Sequence, residues 1–124
     1  MPQPARYSIE MAQEREQIQN WLLQRFQGAN CTDLNLKFCI HVTQDQSELI
    51  FHLSNGSLSA INQPTENVDL TIYLPSWQEI PDILQHQQQL MPAFLQGKLR
   101  SSGHIVTTFQ ILYSLTTPAE GSVP

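Results

Sequence analysis

Positive charge is scarce in this chain of 124 residues: six lysines and arginines stand against eleven aspartates and glutamates, a formal net charge of -5. A phosphate backbone calls for a basic face, so the balance argues against nucleic acid as a partner. Beyond Lys37 only two cations remain, Lys98 and Arg100. Cysteine is nearly absent as well. Cys31 and Cys39 make neither a disulfide framework nor a zinc-ligand spacing. No apolar run approaches the length of a membrane span, and the polar opening MPQPARYSIE does not read as a secretory leader. Two glycosylation triplets, Asn30-Cys31-Thr32 and Asn55-Gly56-Ser57, carry no meaning without secretion. The expectation is one cytoplasmic, reduced domain over 1–124. Its core needs no metal or disulfide, and its tails are about 1–7 and 118–124.

What is present is a clean change of period. Met11, Ile18, Leu22 and Phe26 recur at helical spacing beside Trp21, with Ser8 as the expected N-cap and Gly28 as the stop. From Asp33 the period drops to two. Leu34, Leu36, Phe38, Ile40 and Val42 share one face of a strand, and Asn35, Lys37, Cys39 and His41 share the other. ELIFHLSNGSLSA reads as a hairpin turned by Asn55-Gly56, which sets Leu53 against Leu58 and Phe51 against Ala60. A fourth strand, VDLTIYLP, directs Val68, Leu70, Ile72 and Leu74 inward. Ser76-Trp77-Gln78-Glu79 is a capping box for a short helix whose apolar stripe is Trp77, Ile80, Ile83 and Leu84. Pro92 opens a helical stub, Met91 to Gln96, and Gly97 closes it. KLRSS reads as a fifth strand. A last helix sets Ile105, Phe109 and Leu112 on an apolar face, leaving Thr108, Gln110 and Ser114 wetter. The fold class is α+β: one five-stranded, mostly antiparallel sheet with helices on one face.

The order FHLSNGSLSA, VDLTIYLPSWQEI, LMPAFLQGKLRSSGHIVTTFQIL resembles the sterol carrier protein family of lipid-binding domains. Asn55-Gly56, Pro92-Ala93-Phe94, Gly97-Lys98-Leu99 and Gly103 stand at the family's positions. The likeness runs from about Trp21 to about Leu115. It implies an apolar tunnel between sheet and helices, holding a fatty acyl, sterol-like or isoprenoid lipid. It also implies a domain without catalytic function, or else an accessory module beside a lipid- or quinone-synthesis enzyme. A membrane or an enzyme would be its transient macromolecular partner.

From the residues alone, the apolar stripes are ordinary core. The resemblance turns them into a candidate lining: Ile72, Leu74, Trp77, Ile80, Ile83, Leu84, Met91, Phe94, Leu95, Ile105, Phe109 and Leu112. Lys98 and Arg100 flank Leu99 and are expected on the wet face, as contacts for a headgroup or membrane. No catalytic, cofactor or metal site is expected. His41, His52, His86 and His104 are scattered. Glu79 and Asp82 are ordinary first-turn carboxylates, and neither cysteine has the cationic surroundings of a reactive thiolate.

Overall fold

The structure is a computed structural model that describes residues 3–62 and 67–116, with side chains from Glu14 onward except Asn30. Four α-helices and five strands follow the order α1 (Gln3–Arg25), β1 (Asn35–Val42), β2 (Ser47–Ser54), β3 (Ser57–Ile61), β4 (Leu70–Leu74), α2 (Glu79–Ile83), α3 (Leu90–Leu95), β5 (Arg100–Ser101) and α4 (Ile105–Leu115). The sheet order is β3-β2-β1-β4-β5. β1 runs antiparallel to β2 and parallel to β4, and the other pairs are antiparallel. The fold is therefore α+β with one mixed five-stranded sheet.

Period two decides which side is dry. Phe38, Ile40 and Val42 from β1, Leu49, Phe51 and Leu53 from β2, and Leu70, Ile72 and Leu74 from β4 are all buried in one core. Phe38 stacks on Phe51 with ring centroids 5.4 Å apart. The hairpin turns where expected: Asn55 and Gly56 both take positive φ, and Phe51 faces Ala60 as Leu53 faces Leu58. Gly28 sits so close to this turn that a Cβ there would stand 1.8 Å from the Gly56 carbonyl oxygen. Only two bare backbones can meet at that distance.

α1 departs from expectation at its start. It already runs at Gln3, so Ser8 lies within the helix rather than at its cap. Ile18 and Leu22 enter the core. Arg25 ends the helix with its guanidinium over Trp21, 3.9 Å from the ring centroid. Its Nη2 donates to the Leu84 carbonyl at 3.1 Å and its Nε to that of Leu115. One side chain thus ties the last turn of α1 to the ends of α2 and α4, and its partial burial lowers its affinity for the proton.

Two further expectations need correction. The fifth strand is shorter than KLRSS: only Arg100 and Ser101 pair, with Tyr73 and Ile72. And α4 buries a wider face than expected: Phe109 and Leu112 are buried as the spacing predicts, but polar positions join them. Thr108, Ile111, Leu112 and Leu115 are buried, as is Ser114, while Ile105 at the open first turn is exposed. Thr108 tolerates burial because its hydroxyl donates to the His104 carbonyl at 2.8 Å and lies 2.7 Å from the Ser101 hydroxyl. Ser114 donates to the Gln110 carbonyl and meets the Cys31 thiol at 3.0 Å. A polar side chain whose hydrogen bonds are met locally can enter a core at little cost. The expected tail at 118–124 lies outside the described residues.

Candidate functional site

The cover over the dry face is assembled from short pieces. Pro75 ends β4, and the Ser76 hydroxyl accepts from the Glu79 amide at 3.2 Å while donating to the Glu79 carboxylate at 2.9 Å. Trp77 is buried beside this turn, and its indole N–H donates to Asp45 at 2.8 Å. Ile80, Ile83 and Leu84 follow into the core. α3 is six residues long, burying Leu90 and Ala93. It closes in a Schellman turn, with the Gly97 amide on the Phe94 carbonyl at 3.1 Å and the Lys98 amide on that of Ala93 at 2.9 Å. Gly97 takes φ +80°, a conformation that suits glycine. Leu99 then drops into the core ahead of β5.

α3 meets α4 through an aromatic seam. Phe94 packs edge-to-face on Phe109 with centroids 5.7 Å apart, and Phe109 lies 5.8 Å from Tyr113. Around the seam, apolar side chains reach solvent: Leu95 is 76% exposed, Val106 69%, and Met91, Ile105 and Tyr113 40% or more.

Two depressions open nearby. The larger is a groove of about 330 Å³ between α2 and α3, with Ile83, Pro92 and Ala93 beside Glu79, Asp82 and Lys98. The smaller, about 110 Å³, lies at the sheet edge among Thr43, Tyr73, Pro75, Gly97, Lys98 and Arg100. Neither is the enclosed apolar tunnel that was expected.

The expected lining therefore divides three ways. Ile72, Leu74, Trp77, Ile80, Leu84 and Leu112 are buried in the core. Ile83 is buried at the groove, and Phe94 and Phe109 form the seam. Met91, Leu95 and Ile105 are on the surface, because a two-turn helix and an open first turn each bury one narrow side. The basic pair also separates. Pairing begins only at Arg100, so Lys98 belongs to the turn after α3 and borders both depressions, while the Arg100 guanidinium lies 5.9 Å over the Tyr73 ring on the outer sheet face. Sequence reasoning did not single out Val106 and Tyr113. Their spacing with Phe109, at i, i+3 and i+7, was the signal available.

The titratable groups do not converge on one point. His41 bridges Glu48 at 3.1 Å and Gln46 at 3.0 Å on the outer face, away from the seam. Burial pushes the Cys31 thiol up, partly offset by its contact with Ser114. Burial first, and the Glu48 carboxylate second, push Cys39 up to about 12. Thiols held protonated in this way are poor nucleophiles. Among the described residues no three His, Cys, Asp or Glu side chains gather as a metal site, and no helix is long and apolar enough to cross a membrane.

A model of the SCP-2 sterol transfer family matches residues 11–111. Among solved structures, the chain is similar to "UbiJ-SCP2 Ubiquinone synthesis protein" with TM-score 0.61 and 19% identity, over 88% of this chain and 95% of that one. It is also similar to part of the stereoselective inverting sec-alkylsulfatase Pisa1 from Pseudomonas sp., with TM-score 0.60 and 15% identity over 77% of this chain but only 15% of the enzyme. A weaker likeness, TM-score 0.43 and 13% identity over 64% of this chain and 74% of the other, is to palmitated SCP2L2 from Aedes aegypti. No curated protein matches the chain. At these identities the first two solved structures show the fold alone.

Proposed function

Because the chain belongs to the SCP-2 sterol transfer family, we propose that it is a non-catalytic lipid carrier that takes up an acyl, sterol-like or isoprenoid chain between the sheet and the α3–α4 cover. The observation that carries this reading is the Phe94–Phe109 seam, where two helices meet through aromatic rings ringed by solvent-exposed apolar side chains. Uptake requires α3 and α4 to part. A six-residue helix joined to the sheet by a glycine turn and a two-residue strand is suited to such a movement.

The driving force is desolvation. A ligand burying roughly 400 Å² of apolar surface gains on the order of 10 kcal/mol at about 25 cal/mol per Å². Ordering and association costs remove several kcal/mol of this, leaving micromolar affinity as the expectation. Titration with a fluorescent fatty acid should saturate near one per chain and be reversed by unlabelled ligand. Phe109→Asp places a charge in the seam and should abolish most binding while the far-UV circular dichroism of the sheet persists. A folded protein that binds no apolar probe in the micromolar range ends this reading.

A second reading, as an accessory module beside a lipid- or quinone-synthesis enzyme, is favoured by the end-to-end likeness to the ubiquinone synthesis protein. On that reading the exposed rim of the seam meets an enzyme, and the probe does not bind.

A further inference from the structure

We propose that the outer edge of β3 is a self-association surface, where the strand pairs antiparallel with the β3 of a second copy across a two-fold axis. The inference is independent of the carrier reading and starts from the sheet's two unequal edges. At one end β5 pairs through only two residues and carries the charge of Arg100. At the other, β3 is five residues long, and from Leu49 to Thr65 the sequence contains no aspartate, glutamate, lysine or arginine. Short length, charge and proline are the ordinary guards of a sheet edge, and Ser57–Ile61 has none of them. Among the described residues its backbone forms hydrogen bonds with β2 alone.

The hairpin decides which groups are free. Its two-residue turn makes Ser54 and Ser57 a hydrogen-bonded pair, so Ser59 and Ile61 also bond inward to β2. The N–H and C=O groups of Leu58 and Ala60 therefore point away from the sheet. A second copy meets them in one self-consistent register, with Leu58 opposite the partner's Ala60 and Ala60 opposite the partner's Leu58. Each such pair exchanges both of its N–H···O bonds. The same register sets large side chains against small ones, Leu58 against alanine on the dry side and Ile61 against serine on the outer side. Ser59 falls on the axis, where the two hydroxyls meet. An unrelated extended peptide would find the same backbone groups but not this match of sizes. Ser57 and Ser59 are exposed and no formal charge enters the contact, so two chains of net charge -5 can approach here.

A contact this small gives a weak dimer, so sedimentation velocity up to about 1 mM should show a reversible equilibrium with Kd of about 100 µM. Ser59→Lys sets two ammonium groups face to face on the axis and should raise that Kd about tenfold or more. Ser59 is exposed, so the far-UV circular dichroism of this variant should match wild type. Cysteine substitution reads the register. Opposed residues of a non-hydrogen-bonded antiparallel pair have Cα atoms about 4.5 Å apart, within reach of a disulfide. Mild oxidation should therefore link Ser59→Cys chains into dimers, while Ser57→Cys, whose thiol faces the partner's Ile61, stays largely unlinked. Cys31 and Cys39 are buried, so the wild-type chain is the blank. A folded wild-type protein that remains monomeric at the highest concentration overturns the pairing and leaves the edge to a foreign strand. Unchanged association of Ser59→Lys, or equal cross-linking of the two cysteine variants, overturns it as well.

Discussion

The inner face of β1 and β2 and the α3–α4 cover are built from the same residue types and end in opposite environments. Phe38, Ile40, Val42, Leu49, Phe51 and Leu53 are all at 1% exposure or less, whereas Met91, Leu95, Ile105 and Val106 stand in solvent. The difference lies in how many neighbours each element can recruit. An eight-residue strand with partners on both edges fixes every second side chain against a covered surface. A helix of six residues has too few turns to hold itself, and buries only the side chains directly beneath it. One region is a scaffold, and the other is a cover with its apolar surplus outside.

Phenylalanine truncation should expose this contrast most strongly. Phe38→Ala removes a fully buried ring stacked on Phe51 and should lower stability by about 3–5 kcal/mol in chemical denaturation, with probe affinity unchanged in the molecules still folded. Phe94→Ala removes a half-buried ring from the seam and should cost less than about 2 kcal/mol while shifting probe affinity clearly. Equal losses for the two would erase the distinction between scaffold and cover.

The next effect belongs to the scaffold's backbone. Gly28→Ala drives a methyl group against the Gly56 carbonyl, and neither partner is a flexible side chain that could move aside. A loss of about 1–3 kcal/mol is expected, read as a lowered denaturation midpoint with the slope retained. A neutral outcome would mean that the 3-10 turn at Gly28–Cys31 slides freely over the hairpin.

The same division governs how much could be read from the sequence. The strands, the hairpin and its register were legible because period two and an Asn-Gly turn are local signals, and a sheet obeys them strictly. The cover was legible as a set of elements but less so as a set of faces. Ile105 was expected inside and Thr108 outside, yet Thr108 is buried through bonds to Ser101 and His104 that join a strand to a helix. No hydropathy pattern carries that information. The parallel pairing of β1 with β4 was equally invisible, because it depends on where the chain crosses after β3.

Thr108 therefore supplies the third comparison. Thr108→Val keeps the shape but leaves the Ser101 hydroxyl without this partner, at a cost of about 1–2 kcal/mol. Thr108→Asp puts a charge into a buried site and should unseat α4, reducing both stability and probe binding. Tyr113→Ser, on the exposed side of the same helix, should leave stability within about 0.5 kcal/mol of wild type. Urea titrations of the three variants rank the two sides of α4 directly.

The smallest effect vanishes at neutral pH. Cys39 lies on the outer face of the sheet, yet it is buried, and its folded-state thiol is pushed up to about 12 from an ordinary value near 9. Raising the folded value favours the protonated thiol in the native state. Below pH 9 both native and unfolded chains carry the proton, and the group does not make stability pH-dependent. From pH 9 towards 12 the unfolded chain releases it first, so stability falls across that window. Cys39→Ala should remove that part of the alkaline decline and leave the neutral and acidic limbs parallel to wild type. The cover offers the complementary measurement. A Leu95→Cys variant, placing its thiol at the most exposed apolar position of α3, should take up a maleimide rapidly at neutral pH, while Cys31 and Cys39 react only after denaturant is added. Rapid labelling of Cys39 in the native protein would show that the strands open as readily as the cover.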